Sequence, residues 1–304
     1  MKLGMVGLGK MGANMTKRLL EYGHEVVVTD LNEDAIKEAE SNGAIGASSL
    51  DDLVSNLDAP KIVWVMVPAG NPTTSTLDSL GNLLNEGDIV IDGGNSNYKM
   101  TMQHGNNLAE KGISMIDVGT SGGVWGLKEG YSMMIGGDKD KVDHISPILE
   151  SLAPAPDKGW GYVGPRGSGH FVKMVHNGIE YGMMQAYAEG FSIMKAKEEF
   201  SLDMAEISRI WQHGSVVRSW LLDLMHDAFE EDQEFEDLAA YVSDSGEGRW
   251  TVFEAIDLDV SAPVITTALL RRLRSREGEN YTDKLLNMTR NQFGGHAIAK
   301  KEDE

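Results

Sequence analysis

Residues 2–30, KLGMVGLGKMGANMTKRLLEYGHEVVVTD, leave the chain little freedom of fold. An apolar strand runs into Gly7, Gly9 and Gly12, a helix-length segment follows, and a second apolar strand, Val26–Thr29, ends in Asp30. Each glycine has a separate duty in a strand–turn–helix that receives a dinucleotide. Gly7 permits the tight turn, Gly9 lets the backbone approach a pyrophosphate, and Gly12 lets helix and strand pack closely. The helix N-terminus favours the anion. An acid at the end of the second strand accepts from ribose hydroxyls and repels a 2′-phosphate, so Asp30 predicts NAD rather than NADP. No arginine follows to reverse that preference.

The strand signal continues downstream. Ile62–Gly70 (IVWVMVPAG) and Asp88–Ser96 (DIVIDGGNS) are unbroken apolar runs closing in Pro, Gly and Asn, the pattern of strands buried on both faces. Met115–Val118 leads into GTSGGVWGLKEG and then SMMIGGD, a final part of the same sheet. Helical patterns near 32–43, 73–85 and 99–111 alternate with these strands. The reading is an α/β Rossmann-type doubly wound domain over residues 1–163, with the carboxyl ends of its strands lining the ligand crevice. From residue 164 the strand signal fades. Helix-period patterns at 169–197, 203–213, 216–230, 234–245, 249–258 and 262–275 predict an all-α domain over 164–304.

The first of these helices carries a polar stripe. In RGSGHFVKMVHNGIEYGMMQ, Lys173, His176, Asn177 and Glu180 recur at i, i+3, i+4 and i+7 on one face. Their neighbours Phe171, Val172, Met174, Val175, Ile179, Met183 and Met184 predict a mostly buried helix, where ionisable groups must be paired or used. Lys173 and Glu180 stand about 10 Å apart along the axis. That leaves two readings open, an internal ion pair or a base and an acid with one substrate in reach of both. The RRLRSR run (Arg271, Arg272, Arg274, Arg276) is likewise open, either a phosphate or carboxylate site or a face paired with the chain's own acids.

Composition removes other classes. The net charge of −20 opposes nucleic acid and anionic membrane as partners. There is no cysteine, so thiolate catalysis, disulfides and cysteine-ligated metals are excluded. No apolar run approaches a membrane span, and the strand pattern beginning at Lys2 leaves no room for a presequence. A cytoplasmic protein is expected.

Taken together, GLGKMG, VPAG, IDGGNS, VGTSGG, GHFVKMVHNGIEYG and SGEGRWT, in this order, resemble the 6-phosphogluconate dehydrogenases, and among them the shorter, NAD-preferring decarboxylating form. The resemblance runs nearly end to end. It implies NAD contacts from Gly7, Leu8, Gly9, Lys10, Met11 and Gly12, from Asp30, from Val67, Pro68 and Ala69, and from Asn95. It implies Lys173 as the catalytic base that takes the substrate 3-hydroxyl proton, and Glu180 as the acid that protonates C1 after CO₂ is lost. No metal is implied. The substrate 6-phosphogluconate is expected to meet Asn95, Ser121, Gly122, Gly123, His176 and Asn177. Its phosphate falls to Tyr181, to Arg249 where longer relatives usually carry lysine, and to Arg272, with Arg271 one register away. TRNQFGGH resembles the family's closing motif, in which an arginine and a histidine, here Arg290 and His296, reach a neighbouring subunit's site, so a homo-oligomer, dimer or tetramer, is expected. Two other readings stand beside this one: a 3-hydroxyisobutyrate-type dehydrogenase that does not decarboxylate, and a nucleotide sensor without turnover.

Overall fold

Strands that are apolar on both sides need a cover on each face, and the computed structural model, which describes residues 1–278 and 281–294, supplies two. The chain runs β1 (Lys2–Val6), α1 (Lys10–Glu21), β2 (Glu25–Thr29), α2 (Glu33–Ser41), β3 (Ile45–Gly46), α3 (Leu50–Ser55), β4 (Ile62–Val65), α4 (Asn71–Leu83), β5 (Ile89–Asp92) and α5 (Tyr98–Ala109). It continues through β6 (Ser114–Ser121), α6 (Gly126–Glu129), β7 (Ser132–Gly136), α7 (Lys139–His144), α8 (Ser146–Leu152) and β8 (Trp160–Gly164). The sheet order is β3-β2-β1-β4-β5-β6-β7-β8, and the chain reverses direction once, where β7 pairs antiparallel to β6.

Alternation along β4 shows how the two covers divide. Ile62 and Trp64 enter one core layer with Met15 and Leu19 of α1, whereas Val63 and Val65 enter the other with Leu53, Leu77, Leu80 and Leu108. Side chains on a strand point to opposite faces in turn, so a run read as continuous apolar sequence serves both layers.

The helical half comprises α9 (Ser168–Lys195), α10 (Met204–Trp211), α11 (Trp220–Glu231), α12 (Glu247–Asp257), α13 (Pro263–Arg274) and α14 (Tyr281–Gly294). Two compact units result. One holds residues Met1–Ile179 and Glu247–Glu254, the other Glu180–Gly246 and the chain from Ala255 on. The second unit has a small core of Phe191, Met204 and Leu222, with Tyr187, Ile207, Trp211 and Phe229 packed around it.

Two expectations are corrected here. Residues 234–245 form no helix: Asp232 accepts from the backbone N–H groups of Glu234 and Phe235, and Phe235 takes a left-handed φ of 52°, which a helix does not accommodate. Nor is α9 as buried as its apolar flank predicts, since Ile179 is 52% and Met183 38% exposed. The apolar flank was read as core, but the small cluster of the second unit covers only part of it. Among the described residues no helix is long and apolar enough to cross a membrane.

Candidate active site

The glycine loop opens onto a cleft of the first unit with a volume of about 1020 Å³. Gly7, Gly9, Lys10, Met11, Gly12, Asp30, Val67, Pro68 and Asn95 all line it. The loop geometry explains its glycines. Gly7 sits at φ +96°, and a Cβ there would come within 2.5 Å of the Met66 carbonyl oxygen; a Cβ on Gly12 would lie 2.0 Å from the Gly7 carbonyl oxygen. At Gly9 a Cβ would meet nothing within 4 Å. Gly7 and Gly12 are therefore required by the protein itself, and the space beside Gly9 is left for something else.

Asp30 has a second duty beyond the one expected. Its carboxylate accepts from Leu8 N at 2.6 Å and from Asn32 N at 2.8 Å, so it braces the glycine loop as well as facing the cleft. Each carboxylate oxygen retains acceptor capacity for a ribose hydroxyl. Leu8 and Ala69 are not part of the lining; Leu8 is buried with its N–H given to Asp30, and Ala69 is exposed ahead of α4. The sequence reading missed Ser48, Ser49, Ser75, Thr76 and Ser79, which complete the cleft wall. The i, i+1, i+4 spacing of Ser75, Thr76 and Ser79 on α4 is the signal that could have found three of them.

At the carboxyl end of β5, Asn95 stands at φ 52°, its amide donating to Thr120 O at 3.0 Å and accepting from Thr120 N at 2.8 Å. This reciprocal pair fastens the IDGGNS loop to the end of β6, where Ser121, Gly122 and Gly123 follow. Gly122 and Gly123 turn the chain at φ 133° and 50°.

Lys173 is 5% exposed on α9. Its Nζ lies 3.5 Å from His176 Nδ1, which is itself 3.1 Å from Asn177 Oδ1. Nδ1 can accept from the lysine or donate to the amide, but not both, so the imidazole tautomer decides which neighbour it holds. Close approach of α9 to β6 requires Gly119, since a Cβ there would stand 2.4 Å from Lys173 Cβ. Thr251 of α12 donates toward Met174 O at 2.7 Å and packs on Gly178, which places half-buried Arg249 on the adjoining first turn of α12.

In the second unit Glu180 and Tyr181 follow on α9. The Arg272 guanidinium lies over the Tyr181 ring, 3.4 Å from its centroid, and donates to Ser243 O at 3.0 Å. The Tyr181 side chain is buried and its hydroxyl has no protein partner among the described residues. Arg271 is exposed, so Arg272 is the member of this run that meets Tyr181. Arg290 is exposed on α14, and His296 lies outside the described residues.

This is a dinucleotide-binding α/β unit joined to a helical unit, the build of a nicotinamide-linked dehydrogenase. Residues 2–164 match the NAD binding domain of 6-phosphogluconate dehydrogenase, and residues 169–304 match the 6-phosphogluconate dehydrogenase C-terminal domain. The chain belongs to the 6-phosphogluconate dehydrogenase family. It is 41% identical over 304 residues to the NAD(+)-dependent, decarboxylating 6-phosphogluconate dehydrogenase of Haloferax volcanii, with all of both chains covered. It is 42% identical over 301 residues to the Bacillus subtilis protein YqeC, whose name assigns it provisionally to the same dehydrogenases, covering 99% of this chain and 100% of that one. Among solved structures, Plasmodium falciparum 6-phosphogluconate dehydrogenase superposes with a TM-score of 0.83 at 27% identity, covering 100% of this chain and 67% of that one. A Mycobacterium tuberculosis 3-hydroxyisobutyrate dehydrogenase, at 20% identity and a TM-score of 0.72 over 88% of this chain and 90% of that one, shares the fold.

Proposed function

We infer that this chain is an NAD-dependent, decarboxylating 6-phosphogluconate dehydrogenase, converting 6-phosphogluconate to ribulose 5-phosphate and CO₂. The observation that carries this is the occurrence of Lys173 and Glu180 on one helix in a chain whose two halves both match the family. The glycine loop and Asp30 suit NAD, which supplies the hydride acceptor when bound. Retention of both ionisable groups, with Tyr181 beside Arg272, favours decarboxylation of a phosphorylated substrate over the 3-hydroxyisobutyrate-type reaction.

Lys173 takes the proton from the substrate 3-hydroxyl as hydride leaves C3, giving a 3-keto acid. The protonated amine then donates to the C3 carbonyl oxygen, stabilising the charge that develops when the C1–C2 bond breaks and CO₂ departs. The bonding pair becomes the enediol double bond. Glu180 protonates the former C2, which becomes C1 of the product, as Lys173 recovers the C3 hydroxyl proton, and the ketose results. His176 sets the environment of the lysine, and Asn95, Ser121, Gly122, Gly123 and Asn177 hold the carboxylate and hydroxyls. Tyr181, Arg249 and Arg272 take the phosphate, Tyr181 bringing a buried hydroxyl with no protein partner among the described residues, and Arg290 reaches a neighbouring subunit's site.

The division of labour at residue 163/164, a cytoplasmic location, and a homo-oligomer to which His296 contributes complete the reading. Exposed Ile179, Met183, Ile193 and Val264 support the oligomer. The test is reduction of NAD against NADP by purified protein with 6-phosphogluconate, with released CO₂ trapped in parallel. Equal NADH and CO₂ is the expected result, and Lys173→Ala is expected to abolish both while NAD still binds. NADH without CO₂ would overturn the decarboxylating reading.

A further inference from the structure

The catalytic lysine has no control over its own position; the first turn of α9 decides it, and that turn is held by a residue fifty positions earlier. Asp117 sits in β6 with no exposure at all, yet its side chain touches no cation in the hydrogen bonds it makes. Its Oδ1 accepts from Gly167 N at 2.7 Å, and its Oδ2 accepts from His170 N at 2.9 Å. A fully buried carboxylate is costly unless its lone pairs are used, and here they take the N–H groups that open a helix, where the dipole also favours a negative charge.

The surroundings are cut to fit this contact. Gly136 on β7 leaves room for the carboxylate, since a Cβ there would stand 2.6 Å from Asp117 Oδ1. Gly169 does the same from the helix, where a Cβ would stand 2.9 Å from Asp117 Oδ2 and 2.6 Å from the Asp117 carbonyl oxygen. His170 is fastened a second time, its Nε2–H donating to Asp92 O at 3.1 Å and its Nδ1 meeting the Thr101 hydroxyl at 2.8 Å. The helix start is thereby tied to two adjacent strands.

Asp117 and Gly119 are two apart on a strand and share a face; Gly169 and Lys173 are four apart on a helix and share a face. The Asp117 contact seats Gly169, and one turn later Lys173 Cβ lies on Gly119. We propose that Asp117 is a positioning residue for the reaction: its carboxylate fixes the rotation and depth of the first turn of α9 and so the place of the Lys173 amine. The proposal rests on the reading of Lys173 as base.

The experiment compares Asp117→Asn, Asp117→Ala and Lys173→Gln in the intact enzyme, measuring kcat, KM for NAD and 6-phosphogluconate, and NAD affinity by fluorescence titration. Asp117→Asn keeps the volume but sets an amide against an N–H donor. Its kcat is expected to fall on the order of tenfold to a hundredfold, as small misplacements of a reacting group do, with KM and affinity for NAD held within about twofold. Asp117→Ala should fall further with the same split. An Asp117→Asn enzyme of unchanged kcat, or one losing NAD affinity in proportion to kcat, overturns the proposal. If Lys173→Gln stays active, the catalytic reading fails instead. Should neither Asp117 variant be soluble, Gly119→Ala decides, because its Cβ would press on Lys173 Cβ at 2.4 Å and on the Gly169 carbonyl oxygen at 2.6 Å and so shift the turn that Asp117 seats: a kcat-selective loss supports the proposal and wild-type kcat refutes it.

Discussion

Arg272 lies over the Tyr181 ring, its guanidinium carbon 3.4 Å from the ring centroid, while the same guanidinium donates to the Ser243 carbonyl. Stacking and hydrogen bonding together need a planar, many-donor cation, which lysine is not. Arg272→Lys is therefore expected to behave like a loss, raising KM for 6-phosphogluconate about tenfold or more, with a hydrogen bond to charge weighing about 1.5–3 kcal/mol. Arg271→Ala, at an exposed position, should change KM by less than about threefold. Steady-state kinetics on the two variants separates the neighbours; equal effects would return the assignment to either one.

On the proposed reading, Glu180→Gln removes the acid that protonates the carbon from which CO₂ has left, and leaves the lysine chemistry alone. Turnover should fall on the order of a hundredfold or more. Reduction of a 3-keto substrate analogue by NADH, which needs no protonation at C1, should proceed at close to the normal rate. A parallel loss in both assays would place Glu180 in binding rather than proton transfer.

On the proposed reading Asp30 carries two loads, and its replacement should show both. Asp30→Ser removes the repulsion of a 2′-phosphate, so KM for NADP should fall. It also removes the carboxylate that holds Leu8 N at 2.6 Å and Asn32 N at 2.8 Å, so the glycine loop loosens. KM for NAD is expected to rise about tenfold, with NADP never reaching the efficiency of the native pair. A clean exchange of preference at full efficiency would show that the loop does not depend on Asp30.

His24 offers a test on stability rather than catalysis. The ring is buried, its Nε2 2.8 Å from the Ser151 hydroxyl, and burial holds its pKa below the ordinary 6.5. The folded state thus resists protonation. The stabilisation is whole above about pH 6.5 and is lost as pH falls below it, because the unfolded chain takes up the proton first. Thermal melts of the wild type should decline over this acid range more steeply than those of His24→Gln. Parallel slopes would remove His24 from the acid response.

How much of this was legible in the sequence follows from the range of each interaction. β1, β2, β4, β5, β6, β7 and the loop glycines announce themselves through local periodicity and turn chemistry, whereas β3, Ile45–Gly46, is two residues long and too short to show a period. β8 does not, because Trp160–Gly164 is a partly exposed edge with neither alternation nor an apolar run. Residues 234–245 have a helix-like pattern that a local cap from Asp232 and contacts from the residues just past α13 override: Ser275 Oγ accepts from Val242 N at 2.9 Å, and Arg276 donates to Val242 O at 2.8 Å. Asp117 was invisible for the same reason. An acid inside an apolar strand gives no hint that its partners lie beyond residue 165, whereas the shared face of Lys173 and Glu180, two turns apart on one helix, can be read from local spacing alone.

The glycine loop allows the sharpest separation of fold from function. At Gly12 an added Cβ would stand 2.0 Å from the Gly7 carbonyl oxygen, and backbone must move to admit it. Gly12→Ala should cost about 1–3 kcal/mol of stability, in the range of overpacking, and lower NAD binding only as a consequence. At Gly9 the backbone is at φ −60° and ψ 179°, open to any L residue, and the Cβ would meet no protein atom. Gly9→Ala should therefore melt within about 0.5 kcal/mol of the wild type. Yet it faces the cleft where the pyrophosphate must come against bare backbone, so NAD affinity should drop about tenfold or more. Calorimetry with and without NAD reads both quantities in one protein. If Gly9→Ala binds NAD normally, the cofactor does not approach the loop at this point, and the pyrophosphate must be assigned elsewhere along the cleft.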